Sequence, residues 1–167
     1  MTALNSTNCA MAAPTASFNV TSPVCVGQTV PLNDLSSGAP YAWLWAMPGG
    51  TPNTATVQNT STIYSAAGIY TITLVAANAT GTSTPLSKTI SVIANPTVSV
   101  SGSTAVCSGN STTLTATGAT TYTWMPGSLT GSVQIFTPIG TTIYTVTGSN
   151  GVCTGTRNYT VTVNPTP

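Results

Sequence analysis

The sequence predicts an all-β protein made of two tandem β-sandwiches with a short N-terminal extension. Three observations lead to this fold class. Apolar and hydroxyl side chains alternate at period two over several segments, clusters of Gly, Pro, Asn and Ser interrupt these segments, and the second half of the chain loosely repeats the first. Alternation at period two is typical of strands with one buried face, and closely spaced turn residues are typical of sandwiches.

The strands that carry this pattern recur along the chain. In the first half, residues 69–75 read Ile-Tyr-Thr-Ile-Thr-Leu-Val and residues 88–92 read Lys-Thr-Ile-Ser-Val. In the second half, residues 142–147 read Thr-Ile-Tyr-Thr-Val-Thr and residues 159–163 read Tyr-Thr-Val-Thr-Val. Ser and Thr make up roughly a third of the chain, far above ordinary usage, and the β-branched Thr suits a half-exposed pleated surface. We therefore expect strands whose outer faces are rich in hydroxyl groups.

Matching motifs indicate one internal repeat. Residues 22–28, which contain Cys25, match residues 104–110, which contain Cys107. Tyr41-Ala42-Trp43 matches Tyr122-Thr123-Trp124. Repetition at this spacing indicates two units of about 70–80 residues, a size sufficient for one small sandwich each.

The junctions between these units carry proline. Each half ends on an alternating strand followed by Asn-Pro, at Asn95-Pro96 and Asn164-Pro165, and such a dipeptide favours an extended boundary. We expect residues 14–95 to form the first sandwich and residues 96–167 the second sandwich with a C-terminal linker. Residues 1–13 are expected to be a donor strand or a linker.

Charge is nearly absent. Asp34, Lys88 and Arg157 are the only charged residues among 167, and there is no His. General acid–base catalysis and paired-carboxylate mechanisms need such groups, and hard metal sites need several carboxylates, so we expect a non-enzyme with no cofactor and no metal. Two basic side chains make no patch for nucleic acid, and no apolar run approaches the ~20 residues that span a bilayer.

A surface with so little charge lacks the electrostatic repulsion that normally keeps proteins soluble. We expect it to carry sugars or to be covered by neighbouring subunits. Asn-x-Ser/Thr triplets occur at Asn5, Asn19, Asn59, Asn78, Asn110 and Asn158. A chain this rich in Ser and Thr produces such triplets by chance, so the triplets alone establish no glycosylation.

The tryptophans have two interpretations. Trp43 and Trp45 lie two residues apart and share one face of a strand, and Trp124 takes the matching place in the second half. They are expected in the sandwich cores. The competing interpretation is a sugar-stacking platform at Trp43 and Trp45, although no group of acids and amides marks a groove beside them.

The first half resembles a PKD domain, an Ig-like sandwich, in the form common in secreted proteins of Bacteroidota. The residues that carry the resemblance are 14–18, 25–30, 43–45, 48–52, 67–74 and the Asn-x-x-Gly turn at 78–81. Many PKD domains have an acidic Gly-Asp-Gly turn where this chain has Pro48-Gly49-Gly50, so that acidic site is not available.

The second half resembles the Ig-like repeats of large adhesins from the same bacteria. The matching residues are 106–109, 114–119, 122–124, 141–146 and 151–153. The two resemblances together imply two tandem Ig-like β-sandwich domains in a secreted or cell-surface protein.

The four cysteines are read in the light of this resemblance. An even number of cysteines in an extracellular protein suggests disulfides, and a Cys107–Cys153 bridge fits the second unit. Cys9 and Cys25 remain as a second pair that would join the extension to the first unit. Free buried thiols and an intermolecular bond through Cys9 are the alternatives, while the absence of His and of a Cys-x-x-Cys pair disfavours zinc.

Three functions remain open from the sequence. The first is a structural or adhesive extracellular protein that forms the repeating subunit of a surface filament, with itself as its partner in a head-to-tail homopolymer. The second is a carbohydrate-binding accessory module of a secreted protein, and the third is a passive spacer in a large adhesin. For the filament, we expect residues 1–13 to add to the open sheet edge of a neighbour.

Overall fold

The computed structural model describes residues 12–165, and every helix or strand assigned in that range is a β-strand. The chain divides into two compact units between Ile93 and Ala94, close to the expected junction at Asn95-Pro96. The all-β fold class of two tandem Ig-like sandwiches is confirmed. No helix long and apolar enough to cross a membrane occurs among residues 12–165.

The first unit contains ten strands in two sheets. These are β1 (Phe18–Asn19), β2 (Val24–Cys25), β3 (Thr29–Asp34), β4 (Ala42–Ala46), β5 (Gly50–Thr51), β6 (Thr54–Ala55), β7 (Thr60–Tyr64), β8 (Gly68–Asn78), β9 (Gly81–Thr82) and β10 (Leu86–Ile93). One sheet has the order β1-β3-β7-β5, and the other has the order β2-β10-β8-β4-β6 with β9 beside β8. All pairs are antiparallel except β2 with β10.

The second unit contains eight strands in a similar arrangement. These are β11 (Ser99–Ser101), β12 (Ala105–Cys107), β13 (Thr112–Thr117), β14 (Thr121–Met125), β15 (Leu129–Thr130), β16 (Val133–Phe136), β17 (Thr142–Ser149) and β18 (Thr154–Asn164). One sheet has the order β11-β13-β16, and the other has the order β12-β18-β17-β14-β15. Here β12 with β18 is the parallel pair.

One tryptophan occupies the centre of the first core. Trp45 on β4 is 0% exposed, and its ring meets the ring of Phe18 edge-on, with the centroids 5.2 Å apart. Its Nε1 donates a hydrogen bond to the carbonyl oxygen of Val57 at 3.0 Å. The indole therefore buries a large apolar surface and still satisfies its single donor, as a core tryptophan must.

Trp124 on β14 has the same role in the second core. It is fully buried, its Nε1 donates to the carbonyl oxygen of Gly131 at 2.8 Å, and its ring lies 5.7 Å from the Phe136 ring. Trp124 is therefore the counterpart of Trp45, so the sequence match between Tyr41-Ala42-Trp43 and Tyr122-Thr123-Trp124 is wrong by two residues. The error keeps the correct face of the strand because side chains alternate at period two.

Asn78, at the end of β8, fixes the place where the chain enters the first unit. Its side chain is 7% exposed, and its Nδ2 donates to the carbonyl oxygens of Ala12 and Gly38, both at 2.8 Å. Its Oδ1 accepts from the backbone N–H groups of Thr80 and Gly81 at 2.9 and 3.2 Å, and from the Thr80 hydroxyl at 2.6 Å. One buried amide thus holds three separate segments together.

The cysteines differ from the expected pairing. Cys153 and Cys25 both take part in disulfides, whereas Cys107 is exposed and free, so the predicted Cys107–Cys153 bridge is wrong. Cys9 lies outside the described residues. Ala12, three residues after it, is held at the Asn78 end of β8, whereas Cys25 lies beside Ile93 at the Gly68 end, so the described residues do not support the predicted Cys9–Cys25 pair.

The topology of the second unit explains why that bridge is absent. Cys107 lies level with Asn164 at the end of β18, whereas Cys153 immediately precedes the start of that strand at Thr154. Eleven residues of strand at about 3.3 Å each place the two levels ~36 Å apart, far beyond the ~7 Å between Cα atoms that a disulfide tolerates.

Replacing the Asn78 side chain should destabilise the first unit. We expect Asn78→Ala to lower the free energy of unfolding by about 2–3 kcal/mol, because it leaves buried carbonyl and N–H groups without partners. The matched control is Asn59→Ala, since Asn59 is exposed and accepts one bond, from Asp34 N at 2.9 Å. Urea unfolding monitored by tryptophan fluorescence checks both variants, and an equal loss in the two would contradict the role of Asn78.

The thiol of Cys107 should react without prior reduction. We expect a thiol-alkylating reagent to modify Cys107 in the native protein, because the side chain is exposed and unbonded. The peptide that contains Cys153 should be modified only after reduction and unfolding, since Cys153 is disulfide-bonded and 1% exposed. Peptide mapping by mass spectrometry decides this, and an unmodified Cys107 would contradict the structure.

Candidate functional site

The charged side chains of the first unit make hydrogen bonds to backbone groups. Asp34 Oδ1 accepts from the N–H of Ser36 at 3.0 Å. Lys88 Nζ donates to the carbonyl oxygen of Phe18 at 2.5 Å and lies 5.2 Å from the centroid of the Phe18 ring. Arg157 is exposed on β18 in the second unit. Asp34 and Lys88 are both neighbours of Phe18, Asp34 through the ladder between β1 and β3 and Lys88 through its bond to the Phe18 carbonyl. Within residues 12–165 no group of three metal-ligating side chains comes together.

The two tryptophans of β4 face the core of the first unit. Trp45 is 0% exposed, so its proposed role in sugar stacking is wrong. Trp43 is half-buried and packs against the core of the first unit, and its Nε1 has no hydrogen-bond partner among the described residues. Both rings face inward because residues two apart on β4 share the face that the opposite sheet covers.

A hydroxyl-lined groove lies in the second unit, where the chain passes from β15 to β16. Its volume is about 390 Å³, and residues 120–123 and 130–132 form its walls. Four threonines and one serine supply hydroxyl groups, and no charged residue lines it. Tyr122, the aromatic residue of the groove, is buried and exchanges hydrogen bonds with the backbone of Ala119 through its hydroxyl. The groove thus presents hydroxyl groups without charge, and none of its lining residues offers an exposed aromatic face.

The outer faces of the sheets carry cross-strand polar pairs. Thr73 on β8 and Ser87 on β10 lie opposite each other, with their hydroxyl oxygens 2.8 Å apart. Thr145 on β17 donates to Oδ1 of Asn158 on β18 at 2.9 Å. These pairs stabilise the sheets without ionic groups, as cross-strand hydrogen bonds do.

Asn78 is a poor candidate for glycosylation among the six sequence triplets. Its amide is buried and both Nδ2 hydrogens are engaged, so a sugar on that nitrogen is incompatible with the fold, and this predicted site is wrong. The other described asparagines of the set, Asn19, Asn59, Asn110 and Asn158, are exposed and accessible. Asn5 lies outside the described residues.

The edge strand β16 has an unpaired side. Its ladder with β13 is antiparallel, and among residues 12–165 no strand pairs with its other side. The N–H of Ala116 donates to the carbonyl of Ser132 at 2.7 Å, so Ser132, just before β16, directs its backbone groups toward β13. Since inward and outward groups alternate, Val133 and Ile135 direct their backbone N–H and C=O groups away from β13.

The side chains along this edge are apolar and exposed. Val133 is 51% exposed and Ile135 is 68% exposed, while Ile139, just beyond the strand, is 97% exposed. Residues 133–139 carry no charge. Sequence reasoning expected open edges in general and did not identify β16. The available signal was the short alternation Val-Gln-Ile-Phe, which gives no information on which neighbours the strand has.

Residues 15–92 of this chain match the PKD domain family. No protein of curated function matches the chain.

Several solved structures resemble the chain at low identity. A carbohydrate-binding module of the β-sandwich superfamily is 17% identical, with 91% of this chain and 85% of that chain covered and a TM-score of 0.44. The two-domain fibronectin type III segment of chicken tenascin is 16% identical, with coverage of 90% and 99% and a TM-score of 0.38. The Ig1-2 module of the Drosophila receptor protein tyrosine phosphatase DLAR is 13% identical, with coverage of 92% and 100% and a TM-score of 0.35.

These similarities concern the fold, and PKD and Ig-like folds are typically non-catalytic modules. The sandwich of the first unit, its central Trp45 and the Asn78 turn agree with the family match over residues 15–92. The first unit of this chain is a PKD/Ig-like domain.

Proposed function

We propose that this protein is a non-enzymatic extracellular structural subunit that assembles head to tail with copies of itself into a surface filament. The observation that carries this proposal is the uncharged surface. Only three of the 167 residues are charged. Two of them, Asp34 and Lys88 in the first unit, are hydrogen-bonded to nearby backbone groups. Net charge is what normally keeps separate protein molecules apart, and this chain has a formal net charge of only +1.

The exposed apolar side chains give further support. Ile69, Ile135 and Ile139 are exposed by 79%, 68% and 97%. Single exposed apolar residues are ordinary, but on a surface without charge they lower the cost of burying that surface against a neighbour. Contacts between copies would then rest on apolar area and on the hydroxyl-rich faces. Glycans on exposed Asn, Ser or Thr are the other means by which such a surface stays hydrated.

A carbohydrate-binding role is the second candidate. The hydroxyl-lined groove at residues 120–123 and 130–132 favours it, because sugars are recognised by hydroxyl hydrogen bonds. The burial of Trp45 and Tyr122 weighs against it, since sugar rings are usually held on an exposed aromatic face. We therefore place the filament first.

Electron microscopy of the full-length native protein tests the proposed assembly. We expect filaments with an axial repeat, and we expect deletion of residues 1–11, which keeps the Ala12 carbonyl bound by Asn78, to abolish them while leaving the folded units intact. Circular dichroism of the truncated protein serves as the control for folding. A full-length protein that stays as single particles at high concentration would contradict the filament, and filaments from the truncated protein would contradict the role of the extension.

Assembly should be nearly independent of salt. Because the contacts involve almost no ionic groups, we expect the same filament yield between about 10 mM and 1 M NaCl, over which the screening length falls from ~30 to ~3 Å. Sedimentation of the polymer at each concentration measures this. Filaments that dissolve as NaCl is raised would indicate that charges hold the subunits together, contrary to the proposal.

A further inference from the structure

We propose that the outer edge of β16 is the site that accepts the N-terminal segment of a second copy of this chain as an added strand. The inference rests on the proposed function and names the surface through which one subunit holds the next. It uses the backbone groups of Val133 and Ile135 as hydrogen-bond partners and the side chains of Val133, Ile135 and Ile139 as apolar contacts.

Exposed edges of β-sheets are normally protected against pairing with other chains. Natural sheets shield their edges with charged side chains, with proline or with very short strands. In the part of the first unit that the structure describes, the edge strands β1, β5, β2 and β6 have two residues each. β16 is longer, with four residues, and contains neither a charge nor a proline. An exposed, uncharged edge with two outward-facing residues is what strand addition requires.

The proposed occupant has the matching composition. Residues 1–13 contain no proline and no charged residue, so every backbone N–H beyond the first residue can donate to a ladder. Leu4, Met11 and several alanines and threonines supply small or apolar side chains. Eleven residues precede the first described residue, Ala12, and an extended segment of that length spans about 36 Å.

Ala12 lies at the end of the first unit opposite to the end where the chain leaves it. Asn78 holds Ala12 at one end of β8, whereas the chain leaves the first unit after Ile93, beside the other end of β8 at Gly68. Ten residues of strand, or about 33 Å, separate these two ends. A segment that continues outward from Ala12 would therefore leave the first unit at the end away from Ile93, where a neighbouring copy can meet it.

The polarity of the second unit fits a head-to-tail contact. Phe136, at the end of β16, lies opposite Thr112, and Thr112 comes shortly after the turn that follows Cys107. Cys107 in turn pairs with Asn164, the last residue of β18. β16 therefore ends at the pole where the chain leaves the second unit. A segment that enters at this pole with residue 11 nearest the pole would run parallel to β16. Such a contact joins two different surfaces, so repetition yields a filament when successive copies do not close into a ring.

Charged substitutions on the edge test the proposal. In the full-length protein, we expect Val133→Lys with Ile135→Lys to reduce filament yield at least tenfold, because the ammonium groups would lie where the added strand must pack. The matched control is Ile143→Lys, since Ile143 is a similarly exposed isoleucine (58%) on β17 in the other sheet. Filaments formed equally by the edge variant and the control would overturn the proposal.

A second variant covers the event that the double lysine variant does not fold. Ile135→Pro removes one outward N–H and leaves the bonds of Ser132 and Gln134 to β13 in place. We expect a folded protein, as judged by the fluorescence of Trp124, and a loss of assembly of at least tenfold. A folded Ile135→Pro protein that assembles like the native chain would overturn the assignment of β16.

A binding measurement separates this proposal from the filament itself. A fluorescein-labelled peptide of residues 1–11 should bind the full-length protein, and the edge variants should weaken its Kd at least tenfold while Ile143→Lys leaves it unchanged. If the native protein forms no filaments, the proposed function is wrong. Binding of the peptide would still test whether β16 accepts the N-terminal segment. No binding, or equal binding to all variants, would overturn the acceptor site even if filaments form.

Discussion

The scarcity of ionic groups constrains every level of this structure. Most polar atoms can be satisfied only by backbone ladders, hydroxyl groups and a few amides. Asn78 illustrates this, since one buried side chain makes five hydrogen bonds and joins the segments at Ala12, Gly38 and Thr80. In a more highly charged protein, an ion pair could hold such segments together. Here a neutral amide holds them, at no cost of desolvating a charge.

The same constraint connects the cores to the surface. Each unit buries one tryptophan, Trp45 or Trp124, against a phenylalanine and gives its indole N–H a backbone carbonyl. The inward faces are thus ordinary sandwich cores, while the outward faces pair hydroxyls such as Thr73 with Ser87. The two units differ at one edge that bears on assembly. Among residues 12–165, β7 has neighbours on both sides, with β5 pairing with Ile63 and Tyr64, whereas β16 pairs with β13 alone.

Local patterns determined how much could be predicted from the sequence. The long strands β8, β10, β17 and β18 follow from alternation at period two, which depends only on neighbouring residues. The identity of the central tryptophan of the first unit did not follow, because Trp43 and Trp45 share a face and only the register with β8 separates them. The cysteine pairing failed for a similar reason, since the level of Cys107 depends on which end of β18 it pairs with. The unpaired side of β16 could not be predicted either, because the residues of a strand do not show which other strands pair with it.

Strand addition at β16 requires that two backbone amides become hydrogen-bonded when the subunits assemble. The N–H groups of Val133 and Ile135 face away from β13 and should exchange rapidly with solvent in the dissociated subunit. Hydrogen–deuterium exchange of these amides, compared between assembled and dissociated protein, tests this requirement most directly. The account predicts that peptides covering residues 133–136 become strongly protected on assembly, while the exposed loop at residues 126–128 exchanges equally in both states. Assembled filaments in which residues 133–136 exchange as fast as in the free subunit would contradict it.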